Sequence, residues 1–213
     1  MLTETSAEAG LCGRLFWERL ASMLRVRAGT ATFALCLVAC GGGAEQKEAK
    51  RVVSPSGDVT LRELGCISTQ PEACFNATDD NCNGIIDEGC DIETGPVQFV
   101  IAWEPTGVDV DLLVTDPSGA LAEVGHPLQS GLIKQRDCPG RNNECRGQNL
   151  ENVFLEAAEA PRGTYTVRVV LENLAGENPP ISVRFGARVG ERTYGYALTL
   201  ARPHAAFDTK FTR

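Results

Sequence analysis

Asp79-Asp-Asn-Cys-Asn-Gly-Ile-Ile-Asp-Glu-Gly-Cys90 is the run of this chain in which residue type and spacing could do chemistry. Asp79, Asn81 and Asn83 alternate as oxygen-bearing side chains, Gly84 follows at once, and Asp87 and Glu88 come next. A hard cation needs about 6–8 oxygens at roughly 2.3–2.6 Å, and a glycine lets the backbone turn so that alternate side chains converge. The expected ligands are the side chains of Asp79, Asn81, Asn83 and Asp87, the carbonyl of Ile85, and Glu88 as a further donor. Two of the three alternating positions are Asn, which lowers the charge, so the expected calcium affinity is weak, roughly 10⁻⁴–10⁻³ M. Thirteen carboxylates lie from Glu63 to Ile133 with no Lys or Arg among them. Such a run repels itself unless a cation neutralises it or water solvates it.

Asp109 and Asp111 share one face of an alternating stretch, with Asp116 at its end, and form a candidate second metal site. The competing reading is that Asp109 and Asp111 face water while Asp116 starts the Asp116-Pro-Ser-Gly119 turn. Catalysis finds no support. Gly-x-Ser-x-Gly, His-Glu-x-x-His and a phosphate-cradling glycine loop are all missing, and His126 and His204 sit in Pro-flanked contexts. The chain therefore reads as a non-enzyme.

Cysteines frame the acidic loop. Cys66, Cys74, Cys82 and Cys90 recur every eight residues, and Cys138 and Cys145 follow. An even set on an exported chain implies three disulfides. The short Cys138–Cys145 loop is the easiest pairing to accept, and the pairing of the other four stays open. Zinc would use tighter cysteine pairs or nearby histidines. The position of the twelfth residue, where an EF-hand has a bidentate Glu, is held by Cys90, so the loop is closer to shorter extracellular calcium repeats. From Cys74 to Cys90 the run resembles the MopE-type metal-binding motif of bacterial surface proteins. That resemblance implies a metal, with copper as the alternative to calcium. Copper prefers nitrogen and sulfur donors, which favours calcium here.

From about Pro96 the chain alternates with period two. Val97, Phe99, Ile101 and Trp103 share a face, then Val108, Val110, Leu112 and Val114, and Tyr165 to Leu171, Ile181 to Val189 and Tyr194 to Leu200 repeat the pattern. Turn signals such as Glu104-Pro-Thr-Gly107 and Gly190-Glu191 separate these stretches. The predicted fold is all-β, an antiparallel β-sandwich preceded by a small disulfide-rich module and a flexible tether. Residues 126–150 read as an insertion or long loop closed by Cys138–Cys145. Trp103 to Gly119, Glu151-Asn-Val-Phe-Leu155 and Pro161 to Val169 resemble YfaP-like exported β-sandwich domains, which implies fold and export but little about activity.

The N-terminal part addresses the chain. Arg25 and Arg27 precede a short apolar run ending in Leu37-Val-Ala-Cys40, which has the form of an export signal and resembles a bacterial lipobox. Lipidation is expected at Cys40, anchoring the chain to a membrane, with outer membrane or cell surface as the expected location. Residues 1–22 are too acidic for such a signal, so Met23 is the expected start. The expected organisation is a signal region over 1–40, a linker over 41–62, the metal-binding module over 63–94, the sandwich over 95–203 and a tail over 204–213. The mature chain would carry 16 Lys+Arg against 25 Asp+Glu, a balance that argues against nucleic acid as a partner. A surface protein or a glycan is the expected partner. The alternatives are copper handling, or an accessory domain that docks an exported hydrolase.

Overall fold

Alternating side chains make strands because every second residue can be buried while its neighbours stay wet. The computed structural model describes residues 51–53, 57–139, 145, 147–157 and 159–213, all within one compact unit from Lys47 to Arg213. The expected export signal, Cys40 and residues 41–50 of the expected linker lie outside the described residues. The strands are β1 (Arg51–Val53), β2 (Val59–Leu64), β3 (Val97–Trp103), β4 (Asp109–Thr115) and β5 (Leu132–Arg136). They continue with β6 (Leu150–Leu155), β7 (Thr164–Asn173), β8 (Ile181–Val189), β9 (Arg192–Leu200) and β10 (Ala206–Thr212). No helix occurs among the described residues.

Seven strands form one sheet in the order β1-β2-β9-β8-β3-β6-β5, and β10-β7-β4 form a second. All pairings are antiparallel. The two sheets enclose a core built from the alternation: Phe99 and Ile101 of β3, Leu112 and Val114 of β4, Val167 and Val169 of β7, Leu198 and Leu200 of β9. Phe211 of β10 sits at its aromatic centre, with ring centroids 5.6 Å from Phe99, 6.1 Å from Phe185 and 5.3 Å from Tyr194. Each such pair adds roughly 0.5–1.5 kcal/mol beyond the area it buries. This cluster links the two sheets.

Three expected boundaries move. β1 and most of β2 lie in the stretch read as linker, β2 running on through Glu63 and Leu64 of the expected module, and β2 pairs with β9 from Val59–Leu200 to Leu64–Gly195. β10 occupies the expected tail and pairs with β7 along its length. The expected loop over 126–150 contains β5, which pairs with β6. The acidic module is thus an insertion between β2 and β3 rather than a domain ahead of the sandwich.

A buried ionic centre ties the sheets together near the short cystine. Glu151 of β6 is fully buried and accepts the Leu112 N–H of β4 at 2.6 Å and the Cys138 N–H at 3.2 Å. Lys134 of β5, 5 % exposed, pairs with Glu151 at 2.8 Å and with Asp137. Burial pushes the Glu151 carboxyl well above the usual carboxylate range, against the pull of Lys134. Burial opposes the Lys134 ammonium too, but Glu151 and Asp137 outweigh it and hold its pKa above the usual lysine value. Cys138 and Cys145 are bonded, as the spacing predicts.

Candidate metal centre

The module has too few apolar residues for a core of its own, so covalent and polar links must order it. Its two disulfides interlace: Cys66 bonds Cys82 and Cys74 bonds Cys90, with Cα separations of 5.4 and 5.3 Å. Phe75, Ala77, Cys82, Asp87 and Asp91 all take positive φ, a conformation that costs L-residues about 1–2 kcal/mol each. Side-chain oxygens capture the backbone N–H groups that this irregular path leaves unpaired.

Asp79 organises the loop. Its Oδ1 accepts the Asn83 N–H at 3.1 Å and its Oδ2 accepts the Gly84 N–H at 2.9 Å. Asn81 Oδ1 accepts the Asn83 N–H at 2.9 Å, and Asn83 Oδ1 accepts the Ile85 N–H at 2.8 Å. Gly84 has φ of 87°, which permits the turn. The Asn81 and Asn83 amides both donate to Glu88 Oε1, the first at 2.6 Å. The other oxygen, Glu88 Oε2, is buried and has no hydrogen-bond partner. The structure therefore brings Asn81 and Asn83 onto the Glu88 carboxylate, whose second oxygen is free, while Asp79 braces the same loop through the Asn83 and Gly84 N–H groups. An orphaned carboxylate oxygen beside two rotatable amides fits a hard cation, because each amide can turn its oxygen toward the ion.

Asp87 is not gathered with them. Its side chain is fully buried, with Oδ1 accepting the Asn76 N–H at 3.0 Å and Oδ2 the Ala77 N–H at 2.9 Å. Positive φ turns it away from the expected ligand set. Burial raises its pKa to about 6, against the pull of those N–H donors. Ile85 takes part through its N–H. Glu72, Asp80 and Asn76 were absent from the expected set and are structural. Glu72 accepts the Asp87 and Asp80 N–H groups at 2.9 and 3.1 Å, while Asp80 accepts the Asn76 amide at 2.7 Å. Burial, then the nearby Glu88 charge, raises the Glu72 pKa. Only an acidic excess hinted at these roles.

The expected second site divides. Asp116 accepts the Ser118 N–H at 2.8 Å and the Ala120 N–H at 3.0 Å, so it closes its own turn. Its pKa is lowered: burial opposes this, but the Ser118 and Ser130 hydroxyls, with the Ala120 and Ser118 N–H groups, outweigh it. Asp111 converges instead with Asp137 and Glu151, their carboxylate oxygens within 4.8 Å of one another. Lys134 already pairs with two of the three, Asp137 and Glu151, which makes the group an ion-pair centre. Burial raises the pKa values of both Asp109 and Asp111, and the Asp111 charge adds to the effect on Asp109.

The module is seated on the outer face of the large sheet. Ala77, Ile86 and Ile92 pack on Val100 and Ala102 of β3 and Leu150 of β6, with Phe75 at the margin. Gly186 of β8 makes the approach possible, since a Cβ there would lie 2.5 Å from the Ala77 carbonyl oxygen. Polar links complete the seat. Thr193 Oγ1 donates to the Gly84 carbonyl at 2.9 Å, and Asn152 Nδ2 donates to the Glu93 carbonyl at 2.8 Å. Arg136 donates to the Asp91 carbonyl at 3.1 Å and lies over the Phe75 ring at 5.7 Å.

The donor set is oxygen throughout. The module's four cysteines are all bonded, and His126 and His204 lie elsewhere, in the β4–β5 connection and between β9 and β10. No protein-family model, curated protein or solved structure matches the chain.

Proposed function

We propose that this chain is an exported, lipid-anchored binding protein with no catalytic role, in which a calcium-binding module is built onto a β-sandwich interaction domain. The carrying observation is Glu88 Oε2, a buried carboxylate oxygen without a partner inside a loop of Asp79, Asn81 and Asn83. Calcium would be held by Asp79, Asn81, Asn83 and Glu88, and would neutralise charge that no Lys or Arg from Glu63 to Ile133 offsets. The all-oxygen donor set favours calcium over copper. Its role is structural: it stiffens the loop whose Gly84 carbonyl is bonded to β9 through Thr193. The sandwich then presents a rigid face to a surface partner or glycan. The buried ionisable groups support a non-catalytic reading, since Glu151 and Lys134 are engaged in holding the sheets together.

Thermal unfolding of the full chain, titrated with calcium against chelator, tests this reading. At ten times Kd the expected gain is about 1.4 kcal/mol, from RT ln(1 + [L]/Kd). For a domain of this size that is a rise of about 3–6 °C in melting temperature. The rise should vanish in Asp79→Ala and in Glu88→Gln. No rise at several times the expected Kd, or an undiminished rise in both variants, would overturn it.

A further inference from the structure

The outer face of the large sheet carries a concavity of about 880 Å³ that the module does not cover. That volume lies within the range of ligand sites, about 300–1,000 Å³. Its floor is set by strand register. Arg62 of β2 is paired with Ala197 of β9, and Ala197 with Arg184 of β8. The next row outward is Thr60, Thr199 and Ser182, paired in the same way. Two arginines thus flank an alanine, and three hydroxyls run parallel to them one row away. The module closes one end through Phe75 and Asn76, while the segment with Glu177 and Asn178 closes the other.

Arg62 and Arg184 are exposed, and the ion pairs of the described residues involve other basic side chains: Lys134, Arg168, Arg202 and His204. Arg184 is steadied by the module, its Nη1 donating to Thr78 Oγ1 at 3.4 Å. Two strand spacings separate the arginine Cα atoms by about 10 Å, the length of a disaccharide rather than of one sugar. A guanidinium grips a carboxylate through paired N–H donors, and the alanine between leaves room for a chain to lie across the sheet. Strands β2, β9 and β8 are each paired on both sides, so their backbone is spent and a peptide cannot add as a strand. Recognition falls to hydroxyls and guanidinium groups.

Resting on the reading of the sandwich as a binding domain, we infer that this groove binds an acidic oligosaccharide bearing a carboxylate on every second sugar, its carboxylates on Arg62 and Arg184 and its hydroxyls on Thr60, Thr199 and Ser182. Glu104 and Glu177 line the end away from the module and repel any further anion there, which fixes the carboxylates over the arginine row.

The test is calorimetric titration of the full chain with a hexasaccharide of alternating glucuronate and N-acetylglucosamine, beside its carboxyl-reduced neutral counterpart and a hexaglutamate peptide. Saturable binding that weakens with salt and is about tenfold weaker or more in Arg62→Gln is expected. Ala197→Glu places a carboxylate between the two guanidinium groups and should abolish binding at an unchanged melting temperature. Failure of the acidic sugar to bind, equal binding of the neutral sugar, preference for the peptide, or full binding by Ala197→Glu would each overturn the inference. The calcium-dependent melting shift on the same samples reports the module separately. Its loss with sugar binding retained would sink the calcium reading and leave this one standing.

Discussion

Lys134→Met should be among the most damaging single substitutions outside the apolar core. Glu151 has no exposure, and its three donors are the Leu112 N–H, the Cys138 N–H and the Lys134 ammonium. Methionine keeps an unbranched apolar stem of similar length and removes the ammonium, with its charge and its N–H donors. It leaves a buried carboxylate with two amide donors, and with the Asp111 and Asp137 carboxylates close by. Breaking a buried pair from one side costs about 3–5 kcal/mol, because the remaining charge is uncompensated. Glu151 can escape by taking a proton, since burial already raises its pKa. The cost should therefore be largest near pH 8 and shrink toward pH 5. Urea unfolding of the oxidised full chain measures it, provided chelator is present so that no divalent cation replaces the ammonium among the three carboxylates. Lys134→Met combined with Glu151→Gln should be less damaging than the sum of the single substitutions by about 1–3 kcal/mol. A cost below about 1 kcal/mol, equal costs at the two pH values, or simple additivity would refute the reasoning.

Gly186→Ala should lose about 1–3 kcal/mol, since its Cβ meets the Ala77 carbonyl at 2.5 Å and Ile86 Cδ1 at 3.0 Å. Limited proteolysis should then cut within residues 66–90 sooner, whereas Gly195→Ala, whose nearest contact is 3.3 Å, should change little. Asp87 sets a pH dependence. Its folded pKa of about 6 lies above the ordinary 3.8, so the folded chain binds this proton more tightly. Its contribution is most favourable below about pH 4 and falls as pH rises to about 6, by about 3 kcal/mol in all. In chelator, denaturant midpoints of the wild type and Asp87→Asn should diverge over that window; parallel curves would exclude Asp87 as the source.

The strands whose buried face alternates cleanly were legible, because the sandwich core needs one face of β3, β4, β7, β8 and β9. The others were hidden for separate reasons. β6 carries Glu151 and Asn152, polar residues buried at 0 %, which break the apolar pattern. β2 shows Arg62 and Glu63 to solvent, and only its pairing to β9 across the chain makes it a strand. For β3, legible from Val97, Phe99, Ile101 and Trp103, what stayed hidden was its second face, where the module covers Val100 and Ala102. In the acidic loop, alternation pointed to Asp79, Asn81 and Asn83, while the fate of Asp87 turned on its backbone conformation. Equal eight-residue spacing could not distinguish neighbouring from interlaced cystines.

The insertion of the module between β2 and β3 fixes an order of events on a chain made N-terminus first. The cystine frame is complete once residue 90 has emerged, each bond spanning 16 residues. Its seat needs β3, Gly186 of β8 and Thr193 of β9, and β2 waits for residues 195–200. Cys90, 4 % exposed once docked, is reachable by an oxidant before that seat exists. Neither bond of the frame needs the seat in order to close, so the knot can be shaped before the second half of the chain arrives to receive it.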